Sequence, residues 1–66
     1  MTARLGTMLK ALRGTKGLTQ KSLAKKARTT AAYVSMLESG KKRNPSLAIL
    51  KRLAKALGVP VGELLG

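Results

Sequence analysis

The sequence predicts an all-α fold of five short helices, and three observations lead there. Apolar residues recur three, four and seven positions apart in separate stretches, the spacing that lines one face of a helix. Between those stretches stand residues that start or stop helices: Thr19, Thr30 and Ser46 as hydroxyl caps, Gly40 and Gly58 as terminators. The chain of 66 residues has no Cys and no His, so neither a disulfide nor a zinc site can staple a core of marginal size. Tyr33 is the only aromatic residue, which leaves Leu, Ile, Val, Met and Ala to fill the interior.

Taken in order, Leu5, Met8, Leu9 and Leu12 form the apolar face of a first helix over residues 2–13, ended by Gly14 and Gly17. Thr19 is the expected N-cap of a second helix. Leu18 before it and Leu23 at the fourth helical position make a hydrophobic staple that sets the entry angle. Leu23, Ala24 and Ala27 face inward, while Lys21, Lys25 and Lys26 face water. Arg28 and Thr29 make a turn, and Thr30 caps a third helix over 31–39 with Val34 and Leu37 inward and Gly40 closing it. Lys41, Lys42, Arg43 and Asn44 form a basic loop. Pro45 and Ser46 open a fourth helix whose stripe is Leu47, Leu50, Leu53, Ala54 and Leu57, closed by Gly58. A last short helix is expected over 59–65, where the fixed φ of Pro60 suits a helix start. No repeat or linker divides the chain, so one domain over 1–66 is expected.

Fourteen Lys and Arg oppose two acids, Glu38 and Glu63, for a net charge of +12. So strong a positive potential on so small a body favours a polyanionic partner. Catalysis is not expected. There is no His and no Asp, the two carboxylates are far apart in sequence, and no phosphate-cradling GxxxxGK[ST] loop is present. No metal and no cofactor are expected. No apolar run is long enough to cross a membrane and no signal-peptide pattern follows Met1, so a cytoplasmic protein without membrane association is expected.

The stretch Leu18–Leu47 has the layout needed to place a helix in a DNA groove: a second helix braces the first against the phosphates. Counting Gln20 as the first position, apolar residues fall at the fourth (Leu23), eighth (Ala27), fifteenth (Val34) and eighteenth (Leu37), and small Ala24 sits at the fifth, where two steeply crossing helices leave little room. The segments LTQKSLA (18–24), YVSMLESGK (33–41), NPSL (44–47) and LAKALGV (53–59) resemble the λ-repressor/Cro-type helix-turn-helix domains of phage and bacterial regulators. The likeness extends over nearly the whole chain. It is greatest to the five-helix domains of lambdoid phage repressors, including the four residues between Gly40 and Pro45. The resemblance implies a sequence-specific DNA-binding fold used mostly for transcriptional control and often for repression.

It also implies roles for particular residues. Gln20, at the start of the second helix, would touch a phosphate, with the helix N-terminus adding partial positive charge. Thr19, Lys21, Tyr33, Ser39, Lys41, Lys42, Arg43 and Asn44 are the other phosphate candidates, and Thr30, Ala31, Ala32, Ser35 and Met36 the candidates for base edges. Tyr33 is expected to be half-buried, and Met36 reads equally as core filler or groove contact. Glu38 sits near the C-terminus of its helix, where the dipole disfavours an anion. Similar domains pair this Glu with an Arg ending the first helix, so an ion pair of Arg13 with Glu38 is implied. Arg28 stands at a turn position often held by Gly, where a left-handed backbone would cost ~1 kcal/mol.

Ala31 and Ala32 cannot make bidentate hydrogen bonds to bases, which predicts weak direct readout and affinity dominated by phosphates. Binding as a two-fold homodimer, in some cases formed only on DNA, is expected, with Leu47, Val59, Val61 and Leu65 as the contact patch. Two other readings stay open on sequence alone. The same fold could present helices to a protein partner, as antitoxin-type modules do. Alternatively, LAILKRLAKALG (47–58) could lie on a membrane surface as a basic amphipathic helix.

Overall fold

A computed structural model describes residues 2–42 and 44–65. Five helices follow in order: α1 (Thr2–Thr15), α2 (Gln20–Lys26), α3 (Ala31–Ser39), α4 (Leu47–Leu57) and α5 (Gly62–Leu65). The starts of α2, α3 and α4 are written in hydroxyl side chains. Thr30 accepts from the backbone N–H of Tyr33 at 3.1 Å, and Ser46 accepts from that of Ile49 at 3.2 Å, each satisfying a donor that the first helical turn leaves unpaired. Thr19 and Ser22 do this reciprocally. Thr19 Oγ1 accepts from Ser22 N at 3.0 Å, and Ser22 Oγ accepts from Thr19 N at 2.8 Å, a capping box in which Ser replaces the usual Glu or Gln.

Four helix ends use one device. The chain turns left-handed at Gly17, Arg28, Gly40 and Gly58, with φ of 68°, 58°, 84° and 72°. In three of them the following N–H reaches back five residues: Leu18 to Arg13, Thr29 to Ala24 and Val59 to Ala54, at 2.9, 2.9 and 3.0 Å. Glycine fills three of the four positions because it has no Cβ to clash. Arg28 is the exception, and it forms the turn between α2 and α3. Arg52 on α4 reinforces that turn by donating Nε–H to the carbonyl of Ala27 at 2.9 Å.

The core collects Leu5 and Leu9 of α1, Leu23, Ala24 and Ala27 at α2, Val34 and Leu37 of α3, Leu50, Leu53, Ala54 and Leu57 of α4, and Leu64 of α5. Leu18 and Tyr33 pack against it half-buried. α1 rests on α3 and α5, and α2 lies between α3 and α4. This packing presents the outer face of α3 away from the core.

Three boundary expectations change. α1 continues through Gly14 to Thr15, so Gly17 alone supplies the terminating left-handed residue. α5 begins at Gly62, because Val59, Pro60 and Val61 first carry the chain around from α4. Leu47 leaves the apolar stripe: as the first helical residue after the Ser46 cap it is 53% exposed, and Ile49 packs half-buried against the core instead.

Candidate nucleic-acid interface

The site is built around a polar junction that welds α1 to α3. Arg13 donates from Nε to Glu38 Oε2 at 2.7 Å and from Nη2 to Glu38 Oε1 at 3.1 Å, a two-pronged pair. Its Nη1 donates to the carbonyl of Leu18 at 2.9 Å, tying in the α1–α2 connection. Gln20 Nε2 donates to Glu38 Oε1 at 3.0 Å, which brings in the start of α2. The Arg13 and Glu38 side chains are only 17% and 5% exposed, so the pair lies in a medium where charge-assisted hydrogen bonds are strong and unpaired charges costly. Burial pushes the Glu38 carboxyl up. Hydrogen bonds from Arg13 and Gln20 and the charges of Arg13 and Lys10 outweigh that and hold it below its ordinary value. Arg13 in turn is raised by its hydrogen bond to Glu38. The cation offsets the unfavourable place of Glu38 at the end of the α3 dipole.

With α3 fixed on one side by this junction and on the other by Val34 and Leu37, its outer row is left uncovered. Thr30, Ala32, Ser35, Met36 and Ser39 are exposed, and Ala31 and Tyr33 are half-buried. Met36 is 37% exposed, which decides against its use as core filler. Ser39 donates to the carbonyl of Met36 at 3.2 Å and Thr30 is engaged as the α3 cap. Thr19, exposed, is engaged likewise at α2. Lys10, Arg13, Gln20, Ser35, Glu38 and Ser39 line a hollow of about 280 Å³ where α1, α2 and α3 meet.

Beyond α3, the N–H of Lys42 reaches the carbonyl of Met36 at 3.1 Å, folding the basic loop back onto the end of the helix. Lys41, Lys42 and Asn44 are exposed there, as is Lys21 on α2; Arg43 lies outside the described residues. The expected dimer patch divides. Leu47 and Leu65 are 53% and 54% exposed, whereas Val59 and Val61 are half-buried against the core rather than free, because the α4–α5 connection folds them inward.

Sequence reasoning identified the Arg13–Glu38 pair but missed the bond from Gln20 to the same carboxylate. Position alone does not tell whether a first-turn Gln turns outward or back. The capping role of Ser22 was also missed, since Ser is unusual at that place.

A helix-turn-helix family model matches residues 9–64. Over 62 residues the chain is 39% identical to the immunity repressor protein of Bacillus phage phi105, covering 94% of this chain and 42% of that protein. The chain thus spans less than half the length of this relative. Among solved structures it superimposes on the restriction-modification controller protein C.AhdI of Aeromonas hydrophila with a TM-score of 0.91, at 36% identity over 96% of this chain and 94% of that one. It matches the N-terminal DNA-binding domain of SinR from Bacillus subtilis with the same TM-score of 0.91, at 33% identity over 97% and 93% of the two chains. The fold is that of the λ-repressor-type domains, and the chain belongs to the helix-turn-helix family.

Proposed function

We propose that this chain controls transcription, as a repressor, by binding duplex DNA as a two-fold dimer with α3 in the major groove. It acts by binding rather than catalysis, and in the cytoplasm where its DNA lies. The observation that carries this reading is the uncovered row of α3, Ala32, Ser35, Met36 and Ser39. That row sits beside the hollow containing Lys10 and Gln20 and is followed by Lys41 and Lys42. A helix with one face in the core and the other bare fits the groove, and cations at its margins meet the phosphates on either side. The second N–H of the Gln20 amide remains for a phosphate while the first holds Glu38. The phage relative is named a repressor and C.AhdI a controller protein, which favours regulation over partner binding. Leu47 and Leu65 supply the dimer contact.

The readout surface is chemically poor. Ala31 and Ala32 can only touch thymine methyls, and Ser35 offers one hydroxyl. Specificity therefore rests largely on phosphate positioning and DNA shape. Duplexes selected from a random pool, titrated against scrambled ones, test this. The expected preference is below about a thousandfold. Ala32→Asp, which sets an anion against the groove, should strongly weaken binding while leaving the fold intact; unchanged affinity in that variant would remove α3 from the interface.

A further inference from the structure

The strained turn at Arg28 and the cations gathered beside it have no role at the α3 face. Lys26, Arg28, Arg52, Lys55 and Ala56 line a hollow of about 450 Å³ between the end of α2 and α4. None of these residues belongs to α3 or lines the hollow beside it, and α4, which supplies Arg52, Lys55 and Ala56, hardly meets α3. Lys26, Arg28 and Lys55 are exposed, and among the described residues no carboxylate pairs with any of them. Arg52 is anchored through Nε on the carbonyl of Ala27, which positions its planar group and leaves its terminal N–H donors for a ligand.

Four like charges around one hollow repel each other, and a bound anion relieves that repulsion. Two guanidinium groups are forks suited to phosphate oxygens. Ala56 is the one apolar residue of the lining, so an acidic peptide would find no pocket for an anchoring side chain. Strain held at a non-glycine residue is concentrated at functional places, and here the strained residue is itself one of the cations.

We propose that this hollow is a second phosphate-binding site that takes the backbone of a DNA segment other than the one facing α3, so that a bound protein holds two segments together.

The test is capture of a second duplex. One short duplex is immobilised and saturated with the protein, and retention of a second, fluorescent duplex is measured at low salt. The parent should retain it. Lys26→Gln/Lys55→Gln should lower retention about tenfold or more while binding to the first duplex changes less than about threefold. Lys25→Gln/Lys51→Gln removes equal charge from exposed positions outside the hollow and should have little effect. Arg28→Gly removes a cation yet relaxes the turn, so weaker capture together with a raised melting temperature excludes unfolding as the cause. Absence of capture by the parent, or equal loss in the control pair, would overturn the proposal. So would inorganic phosphate shifting the amide signals of 26–28 and 52–55 with no second duplex retained, because that assigns the site to a free phosphate ligand. Ala32→Asp disables α3 alone, which keeps a failure here distinct from a failure of the recognition surface.

Discussion

Gly6 on α1 lies directly against the carbonyl oxygen of Leu37 on α3: a Cβ built at Gly6 would stand 2.5 Å from that oxygen and 2.8 Å from the carbonyl oxygen of Glu38. Both obstacles are backbone, so no side-chain rotation relieves the clash. The absent side chain lets α1 and α3 approach closely enough for Arg13 to reach Glu38.

Gly6→Ala should therefore destabilise the fold, although alanine is the better helix former by ~1 kcal/mol. Forcing the helices apart should outweigh that gain and leave a net loss of about 2 kcal/mol, read by urea unfolding. A stabilised variant would mean that α1 can shift without disturbing the junction.

Glu38→Gln removes the charge that Arg13 faces and leaves a part-buried guanidinium without its anion. A loss of about 1–3 kcal/mol is expected, below the range for breaking a fully buried pair, since the pair is part-buried and the amide oxygen can still accept one hydrogen bond. If equilibrium unfolding shows parent and variant equally stable, the junction is not a source of stability.

The same carboxylate sets the response to acid. Its value in the folded chain is lowered from the ordinary 4.5, so the unfolded chain binds the proton more readily. The stabilisation is fully present above about pH 4.5 and is lost as pH falls through the lower folded value. Melting temperature should be flat from neutrality down to about pH 5 and then drop. In Glu38→Gln the drop should be much shallower, and an equally steep one would assign the acid response elsewhere.

Arg28 occupies a backbone conformation with φ of 58° that its three counterparts at helix ends give to glycine. Arg28→Gly should relieve roughly 1–2 kcal/mol of left-handed strain, partly offset by the entropy of the freer unfolded chain. A net gain of about 0.5–1 kcal/mol raises the melting temperature by a few degrees in a chain this small, which differential scanning calorimetry can read. No change would mean that Arg28 makes compensating interactions in the folded chain.

DNA affinity should depend steeply on salt. With ~6–10 phosphate contacts across a dimer, it should fall about a thousandfold or more between roughly 50 and 200 mM salt. A shallow dependence, followed by fluorescence anisotropy, would contradict the charge-driven interface. Leu65→Asp should weaken dimerisation on the duplex while leaving the monomer fold unchanged, since Leu65 is more than half exposed.

Local chemistry by itself determined the helix order, the caps at Thr19, Thr30 and Ser46, and the inward residues of α2 and α3, whereas the left-handed turn at Arg28 was implied by the family resemblance. Each of the former depends on a residue and its near neighbours, through side-chain oxygens, φ preferences and helical spacing. Packing at a distance decided the rest. Gly6 reads as an ordinary helix weakness until α3 is laid across it. Gln20 reads as an outward polar residue until Glu38 arrives 18 positions later in the chain. Leu47 belongs to an apolar stripe by spacing but to the surface by where α4 enters the core. The hollow at Lys26, Arg28, Arg52 and Lys55 exists only because α4 docks on the end of α2. Spacing along a helix tells which residues share a face; only the partner helix settles whether that face is covered, clasped or left to meet something else.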